Sequence, residues 1–224
     1  MGAIRGWFGE KKAAFSMWLS LDSAVYKRFH NVIVSTRNGT TQIDHLLVSP
    51  YGLFIVETKN MNGWIFGAED QANWMQIFYR KRFPFQNPIR QIFRQKKSLA
   101  EYLKVDESII NAVVYFVGSC EFRTRMPANV INSGLGSYIK QFRTRLLSQA
   151  DVRRVSQALE KHVSESSLTT GDHIRSLRER HGSRTVCPKC GSGLVERTAR
   201  QGTNAGFKFL GCLSYPRCRF TREV

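Results

Sequence analysis

Two acids and a lysine, Asp44, Glu57 and Lys59, lie close to one another in the sequence. If their segments are strands, the side chains of Glu57 and Lys59 share a face, and the turn residues of Pro50-Tyr-Gly52 bring Asp44 alongside. Carboxylate oxygens are the ligands that Mg²⁺ prefers, and the metal lowers the pKa of a bound water and screens charge on a phosphoryl group. The lysine can position that water and offset charge in the transition state. These residues predict a Mg²⁺ site for phosphoryl chemistry.

A simpler interpretation of the same residues stays open. An Asp followed by Glu-x-Lys occurs by chance in many chains, and cross-strand charges usually just solvate a sheet face. The neighbours favour the metal site, because Glu57 directly follows the apolar run Leu53–Val56 and Leu46–Val48 follow Asp44 closely. A charge beside such a strand is costly unless it is paired or bound to metal.

Four cysteines are grouped near the C-terminus, as a pair Cys187 and Cys190 and a pair Cys212 and Cys218. Tetrahedral Zn²⁺ accepts four thiolates, and a module of about 40 residues with little core needs such a staple. Two disulfides are the alternative, but the chain shows no secretory signal and cytosolic thiols stay reduced. We therefore expect one Zn²⁺ ion in this module.

The cysteine module is also basic and aromatic. Residues 184–224 hold eight Lys or Arg against two Glu. Cations that bind phosphates, interleaved with rings that stack on bases, are typical of proteins that bind single strands with little sequence preference. One or two of the rings are expected in the small core instead. The candidate nucleic-acid-binding residues are Arg197, Phe207, Lys208, Phe209, Tyr215, Arg217 and Arg219.

Two further polar residues have structural interpretations. His45 follows Asp44 and points to the opposite face of a strand, so we expect a packing histidine. Cys120 ends an apolar segment and is expected to be a buried thiol. The other histidines show no metal-ligand spacing.

The elements that must position these residues indicate an α/β fold with a mixed central sheet flanked by helices. Asn87 and Pro88 predict a helix start, with Asn as cap and Pro in the first turn. The apolar run 109–117 predicts a strand that is buried on both faces. The remaining predictions are strands at 32–35, 42–49 and 53–58, an Asn-Gly turn at 37–39, and helices at 10–21, 136–147 and 150–162.

Composition shifts divide the chain into three parts. A polar stretch separates residues 1–163, a large domain, from the cysteine module at 184–224, with a connecting helix or linker at 164–183. The whole chain carries 34 Lys and Arg against 17 Asp and Glu, a formal net charge of +17. Such a chain binds polyanions, and nucleic acid is the first candidate. No apolar run is long enough for a membrane helix and no signal peptide is evident, so we expect a cytoplasmic protein with no membrane partner.

The run Thr41–Asn60, followed by Gly63–Gly67 and Trp74, resembles the nuclease-related domain (NERD) family, which is assigned to the PD-(D/E)xK nuclease superfamily. The resemblance covers roughly residues 8–120 and implies a restriction-endonuclease-like fold. By position, Asp44, Glu57 and Lys59 correspond to the acidic and lysine core of that superfamily. It also implies roles for Glu10, at the start of the first helix, and for Gln91, in an Asn-Pro-x-x-Gln element that lines the site.

The cysteine module is similar to the C4 zinc ribbons at the C-terminus of bacterial type I topoisomerases, over residues 186–222. That resemblance implies binding of single-stranded DNA. Together the two resemblances imply a bacterial nuclease that uses Mg²⁺ (or Mn²⁺) to hydrolyse DNA and tethers single strands with its ribbon. The alternatives are a nucleic-acid-binding protein whose nuclease fold is inactive, and a zinc-ribbon adaptor in DNA processing.

Overall fold

The computed structural model describes residues 20–36, 39–216 and 218–224. The chain divides into two compact units. The first holds the residues up to Val34 together with Gln42–Ser167, and the second holds Ser35–Thr41 together with Leu168–Val224. The predicted helix at 10–21 lies almost entirely outside the described residues.

The helices are α1 (Pro88–Leu103), α2 (Leu135–Lys140), α3 (Gln149–Glu165) and α4 (Thr170–Gly182), with a short 3₁₀ turn at Glu107–Ile109. The strands of the first unit, two of which extend into the second, are β1 (Lys27–Thr36), β2 (Gly39–Ser49), β3 (Gly52–Lys59), β4 (Gly63–Phe66), β5 (Asn73–Phe78), β6 (Lys81–Gln86), β7 (Ile110–Phe116), β8 (Cys120–Phe122) and β9 (Val130–Ile131). The second unit adds β10 (Leu194–Thr198), β11 (Lys208–Cys212) and β12 (Thr221–Glu223). No helix in the described part of the chain is long and apolar enough to cross a membrane.

The central sheet has the order β1-β2-β3-β7-β9. Strands β2 and β3 are antiparallel, whereas β7 runs parallel to both β3 and β9. The sheet is therefore mixed, as the sequence predicts. A tight turn joins β2 to β3, and α1 belongs to the long connection that the parallel pairing of β3 with β7 requires.

Strand β3 is buried on both faces, which fixes the direction of its side chains. On one face Ile55 packs in a cluster with Leu99 of α1 and Val155 of α3. On the other face Phe54 packs in a cluster with Ile139 of α2. Because alternate residues point to opposite faces, the acid and lysine at the end of β3 point to the face covered by α1.

A second sheet, β6-β5-β4-β8, was not predicted from the sequence. Its strands are four, six, six and three residues long for β4, β5, β6 and β8, too short for a clear periodic pattern. One face covers a cluster around Ile65 and Trp74, in which Ile92 of α1 also packs. Three of its strands, β4, β5 and β6, lie in the chain between the end of β3 and the start of α1.

The prediction of a helix at 136–147 is wrong in its length, because α2 ends at Lys140. The amides of Leu146 and Leu147 donate instead to the carbonyl of Pro50, at 2.9 and 3.1 Å. Ser148 then caps α3 with a reciprocal capping box, which requires non-helical backbone before the new helix.

In the second unit, α4 contacts Thr40 at the start of β2. The Thr40 amide donates to Ser176 Oγ over 2.9 Å, and the buried Arg180 donates from Nη2 to the Thr40 carbonyl over 3.1 Å. The ribbon strands β10, β11 and β12 form an antiparallel sheet. From β12, Arg222 donates to the carbonyls of His181 and Ser183 at the C-terminus of α4.

Candidate functional site

Glu57 and Lys59 form an ion pair at the end of β3. Lys59 Nζ lies 2.5 Å from Glu57 Oε1, and the lysine and glutamate side chains are 21% and 3% exposed. A carboxylate buried to this degree needs partners, because a bare charge in an apolar interior is strongly destabilising. The pair is therefore largely shielded from solvent and does not lie on the open face of a sheet.

Helix α1 supplies Gln91 to this pair. Its Oε1 accepts from Lys59 Nζ over 3.0 Å, so the ammonium is held between a carboxylate and an amide. The start of the helix is fixed by the fully buried Asn87, whose Oδ1 accepts from the Ile89 amide. Asn87 Nδ2 also donates to three carbonyls of residues 68–71. This cap sets the position of Gln91 one turn into the helix.

Gln95 is a site residue that the sequence analysis did not single out. It is 1% exposed, and its Nε2 donates to Glu57 Oε2 over 2.7 Å and to the Gln42 carbonyl over 2.8 Å. Gln95 follows Gln91 by four residues, so both lie on one face of α1. A second glutamine four residues after Gln91, on the buried face of an amphipathic helix, is the sequence signal that could have identified Gln95.

Asp44 reaches β3 at the residue between Glu57 and Lys59. Its Oδ2 accepts from the Thr58 amide over 2.9 Å and from Thr58 Oγ1 over 3.0 Å. The β2–β3 register runs from Ser49 with Gly52 to His45 with Val56. The Asp44 side chain therefore supplies a carboxylate acceptor to the β3 backbone just beyond that run.

Glu10 lies outside the described residues. Between residues 20 and 224, with the exception of 37–38 and 217, the cysteines form the one group of three or more potential metal ligands. Asp44 and Glu57 are thus two described carboxylates on neighbouring strands, without a third described acid that completes such a group.

The packing histidine predicted at position 45 is buried, at 2% exposed, beside His30 of β1. The two Nδ1 atoms lie 2.6 Å apart and the rings meet edge to face. Burial, and then the charge of His30, lowers the pKa of His45 to about 3. The ring is therefore neutral at physiological pH. Cys120 is half-buried, and burial raises the pKa of its thiol to about 11, so it is a poor nucleophile.

The four tail cysteines converge on one point. Their sulfur atoms all lie within 4.8 Å of one another, with Cys187–Cys218 at 3.8 Å and Cys190–Cys212 at 3.3 Å. Four thiolates about 2.3 Å from a tetrahedral Zn²⁺ require S–S separations of about 3.8 Å, so the cluster fits zinc. Burial raises the pKa of the Cys187 thiol, which would stay protonated unless a metal stabilised its thiolate.

One face of the ribbon sheet carries rings and cations side by side. Arg197 lies opposite Phe209 in the β10–β11 register, and its guanidinium lies 5.9 Å from the centre of the exposed Tyr215 ring. Gly211 leaves room for both, since a Cβ there would lie 2.9 Å from Arg197 Cδ and 3.4 Å from Phe209 Cε2. We call Arg197, Phe209 and Tyr215 the ribbon platform.

The remaining ribbon candidates lie elsewhere. Lys208 is on the opposite strand face and pairs with Glu196 over 2.7 Å. Phe207 and Arg219 are exposed, and Arg217 lies outside the described residues. Phe220 packs against the cysteine cluster, which is the core role expected for one or two of the rings.

Comparisons with known proteins agree with this arrangement. The model of the nuclease-related domain matches residues 5–117, and that of the topoisomerase DNA-binding C4 zinc finger matches residues 184–224. An uncharacterized protein of Bacillus anthracis is 45% identical over 96 residues, which cover 42% of this chain and 45% of that protein. DNA topoisomerase 1 of Methanothermobacter thermautotrophicus is 47% identical over 38 residues, 17% of this chain and 5% of that enzyme.

The matched segments thus span less than half of either relative, and no solved structure gives a significant match. The nuclease-related match contains Asp44, Glu57, Lys59 and Gln91, and the zinc-finger match contains all four tail cysteines. The chain belongs to the nuclease-related domain (NERD) family and carries a topoisomerase-type C4 zinc ribbon at its C-terminus.

Proposed function

We propose that this protein is a metal-dependent nuclease that hydrolyses the phosphodiester bonds of DNA, and that its ribbon holds single-stranded DNA. The observation that carries the proposal is the buried carboxylate of Glu57, held by Lys59 and Gln95 beside the Asp44–Thr58 contact. The simpler alternative, charges that solvate a sheet face, predicts exposed side chains instead. Glu57 is 3% exposed at its side chain and has partners from two elements.

The donor set suits Mg²⁺ or Mn²⁺, because carboxylate oxygens on adjacent strands are hard ligands that leave room for waters and a phosphate. Asp44 and Glu57 are the residues that would hold the ion. When bound, the metal would lower the pKa of a water and neutralise charge on the phosphoryl oxygens.

The protein groups around these carboxylates have separate tasks. Lys59 places a positive charge next to Glu57, where it can orient a water and offset the charge that develops on the phosphate. Gln91 fixes the Lys59 ammonium, and Gln95 fixes the Glu57 carboxylate. Thr58 holds the Asp44 carboxylate through two hydrogen bonds. Preorganisation of this kind removes the cost of ordering these groups at the moment of reaction.

The ribbon platform supports the second part of the proposal. Its two rings and its guanidinium form a surface on which unpaired bases can stack while Arg197 meets a phosphate. The topoisomerase-type zinc finger implies DNA binding, and the exposed Tyr215 ring beside the half-buried Phe209 favours single strands, because a duplex keeps its bases stacked on one another. We take residues 1–163 as the nuclease part and 184–224 as the ribbon.

A cleavage assay with the full chain tests the proposal. Purified protein is incubated with supercoiled plasmid and with end-labelled single-stranded DNA in Mg²⁺, Mn²⁺ or EDTA. We expect cleavage with either metal and none in EDTA. Asp44→Asn is the informative variant, because an amide oxygen still accepts from Thr58 while the charge is lost.

Asp44→Asn and Glu57→Gln should abolish cleavage and leave DNA affinity in EDTA within about twofold, since the net charge of +17 is nearly unchanged. If the wild-type protein binds DNA but cuts neither substrate with either metal, the alternative of an inactive nucleic-acid-binding protein or adaptor replaces this proposal. If Asp44→Asn cuts as fast as wild type, the nuclease centre lies elsewhere.

A further inference from the structure

One long segment of the first unit contains no acid. Residues 71–100 hold no Asp or Glu, in a segment that forms β5, β6 and most of α1. The segment carries seven cations, Arg80, Lys81, Arg82, Arg90, Arg94, Lys96 and Lys97. Three of them are consecutive and occupy the turn of the β5–β6 hairpin and the start of β6.

The turn residues of this hairpin are unusual for their conformation. Tyr79 and Arg80 connect β5 to β6 with φ angles of 47° and 61°. Two-residue turns with both residues in the left-handed region strongly prefer Asn-Gly or Asp-Gly, because other side chains are strained there. A tyrosine and an arginine at these positions are not explained by the turn itself.

The side chains of the hairpin end point into solvent. Tyr79 is 84% exposed and Phe83 is 45% exposed, and the rings of Phe78 and Tyr79 lie 4.3 Å apart. Arg80, Lys81 and Arg82 are exposed, and none of the three pairs with an acid in the part of the chain that the structure describes. We call residues 78–83 the basic hairpin.

The basic hairpin is attached to the chain that leaves the candidate site. Strand β4 begins at Gly63, four residues after Lys59, and Trp64 pairs with Ile77 near the hairpin end of β5. Gln76 donates from Nε2 to the Asn62 carbonyl over 2.7 Å. The end of β5 that leads into the basic hairpin is therefore tied to the segment that immediately follows β3.

We propose that the basic hairpin is a second nucleic-acid-binding surface, which stacks Tyr79 and Phe83 on unpaired bases and contacts phosphates through Arg80, Lys81 and Arg82. Its use as a substrate guide for the site at the end of β3 rests on the proposed nuclease function, whereas binding itself does not. Charge complementarity selects the partner, because unpaired cations and exposed rings match a single strand that offers both phosphates and free base faces. A purely solvated turn needs neither Tyr79 nor Phe83.

Fluorescence anisotropy with the full chain tests the surface. The probe is a fluorescein-labelled single-stranded oligonucleotide in EDTA, with a duplex of the same length as comparison. The first variant, Tyr79→Asn/Arg80→Gly, installs the residues that the turn prefers and should fold at least as well as wild type. We expect its affinity for the single strand to fall roughly 5- to 20-fold, with a smaller reduction on the duplex.

The second variant, Arg80→Glu/Arg82→Glu, is matched by Arg153→Glu/Lys161→Glu, which changes the net charge equally at two exposed positions of α3. The affinity of the hairpin variant should fall at least about tenfold further than that of its control. The slope of log affinity against log salt should decrease by about 0.7 for each phosphate that is no longer bound. Vesicles of phosphatidylserine and phosphatidylcholine in equal parts form the comparison for a membrane partner.

Equal reductions in the hairpin and control variants would overturn the proposal, because the basic hairpin would then be an ordinary solvated turn. Binding to vesicles that depends on the hairpin, with DNA binding that does not, would overturn it in favour of a membrane surface. These outcomes are independent of cleavage. A wild-type protein that cuts nothing contradicts the proposed nuclease and leaves the binding comparison to decide on the hairpin.

Discussion

Gln95 and Glu57 are 38 residues apart in the sequence, and their side chains meet over 2.7 Å in the interior between α1 and β3. The bond comes with a local disadvantage, because Gln95 Oε1 is buried without a hydrogen-bond partner among the described residues. Burial of an unpaired amide oxygen destabilises the fold. The glutamine is therefore placed for the carboxylate that it holds and not for the stability of the helix.

Gln95→Leu should reduce the rate of DNA cleavage at saturating substrate by about tenfold or more, because the Glu57 carboxylate loses one of the bonds that orient it. The affinity for DNA in EDTA should not change. The rate is measured at a temperature where circular dichroism shows the variant to be folded. Gln157→Leu, at an exposed position of α3, is the control. A Gln95→Leu enzyme with the wild-type rate would show that the contact is only structural.

Lys59→Met and Gln91→Ala should differ in severity. Methionine keeps the apolar stem and removes the ammonium next to Glu57, so we expect cleavage to fall by at least about 100-fold. Gln91 contacts only the ammonium among the hydrogen bonds at this site, so its removal should cost about tenfold or less. Single-turnover rates on end-labelled DNA give the ranking. The reverse order would contradict the role given to Lys59.

The ribbon should contain one equivalent of Zn²⁺. Cys212→Ser removes one of the four converging thiolates, so the variant should lose the metal and the fold of the ribbon while the first unit keeps its own. Metal analysis after zinc-replete expression measures the content, and a thermal melt separates the two units. Less than about half an equivalent in the wild-type protein would count against the site.

The ribbon platform depends on the glycine at position 211, because a side chain there would crowd Arg197. Gly211→Ala places a Cβ 2.9 Å from Arg197 Cδ and 3.1 Å from its Nε, so the Arg197 side chain must shift. We expect affinity for single-stranded DNA to fall about fivefold with zinc retained. Gly182→Ala is the matched control, since a Cβ there meets nothing within 4 Å. Equal affinities of the two variants would exclude the platform as the binding face.

His45 should make the fold sensitive to acid. Its folded pKa of about 3 lies below the value of about 6.5 in an unfolded chain, so the unfolded state takes up a proton first as the pH falls. The stability that the neutral ring contributes is present above pH 6.5 and is lost progressively toward pH 3. Between pH 7 and pH 5 the decrease is about 2 kcal/mol. His45→Phe should remove that dependence in urea titrations, and an unchanged dependence would assign the acid sensitivity to other groups.

The mixed central sheet was predictable because its strands are continuous and apolar. The buried run at 110–116 and the turn before Gly52 follow from local patterns, and Asn87 caps α1 as its sequence predicts. The short strands β4, β5, β6 and β8 were not predicted, since their pairing is set by the contacts of the second sheet and not by an alternation of polar and apolar residues. Helix α2 ended early for a similar reason, because the carbonyl of Pro50 captures two amides that a longer helix would have used.

The residue types of the candidate site were also predictable, but the contacts that each residue makes were not. Spacing places Glu57 and Lys59 on one face. The hydrogen bond that Thr58 donates to Asp44 could not be deduced in this way, because it depends on how β2 lies beside β3 past the last regular pair, His45 with Val56. Gln95 could not be found from the strand pattern that indicates Glu57 and Lys59, because it lies 38 residues from Glu57 on another element. A helix face can be deduced from periodicity, while the identity of what it covers requires the fold.

The contacts of α4 with Thr40 and with the ribbon use different kinds of atoms, and this difference determines where modules can be exchanged. Arg222 of the ribbon donates to the backbone carbonyls of residues 181 and 183, which any helix terminus can provide. The contacts of α4 with Thr40 use the side chains of Ser176, His173 and Arg180, which are specific to this helix. Exchange of the ribbon at a junction beside Ser183 would therefore keep the contacts of α4 with Thr40, and a foreign ribbon would need only an arginine in the place of Arg222 to restore the others. A junction before Thr170 would instead remove the partners of Thr40, so the module that can be exchanged begins after α4 and not before it.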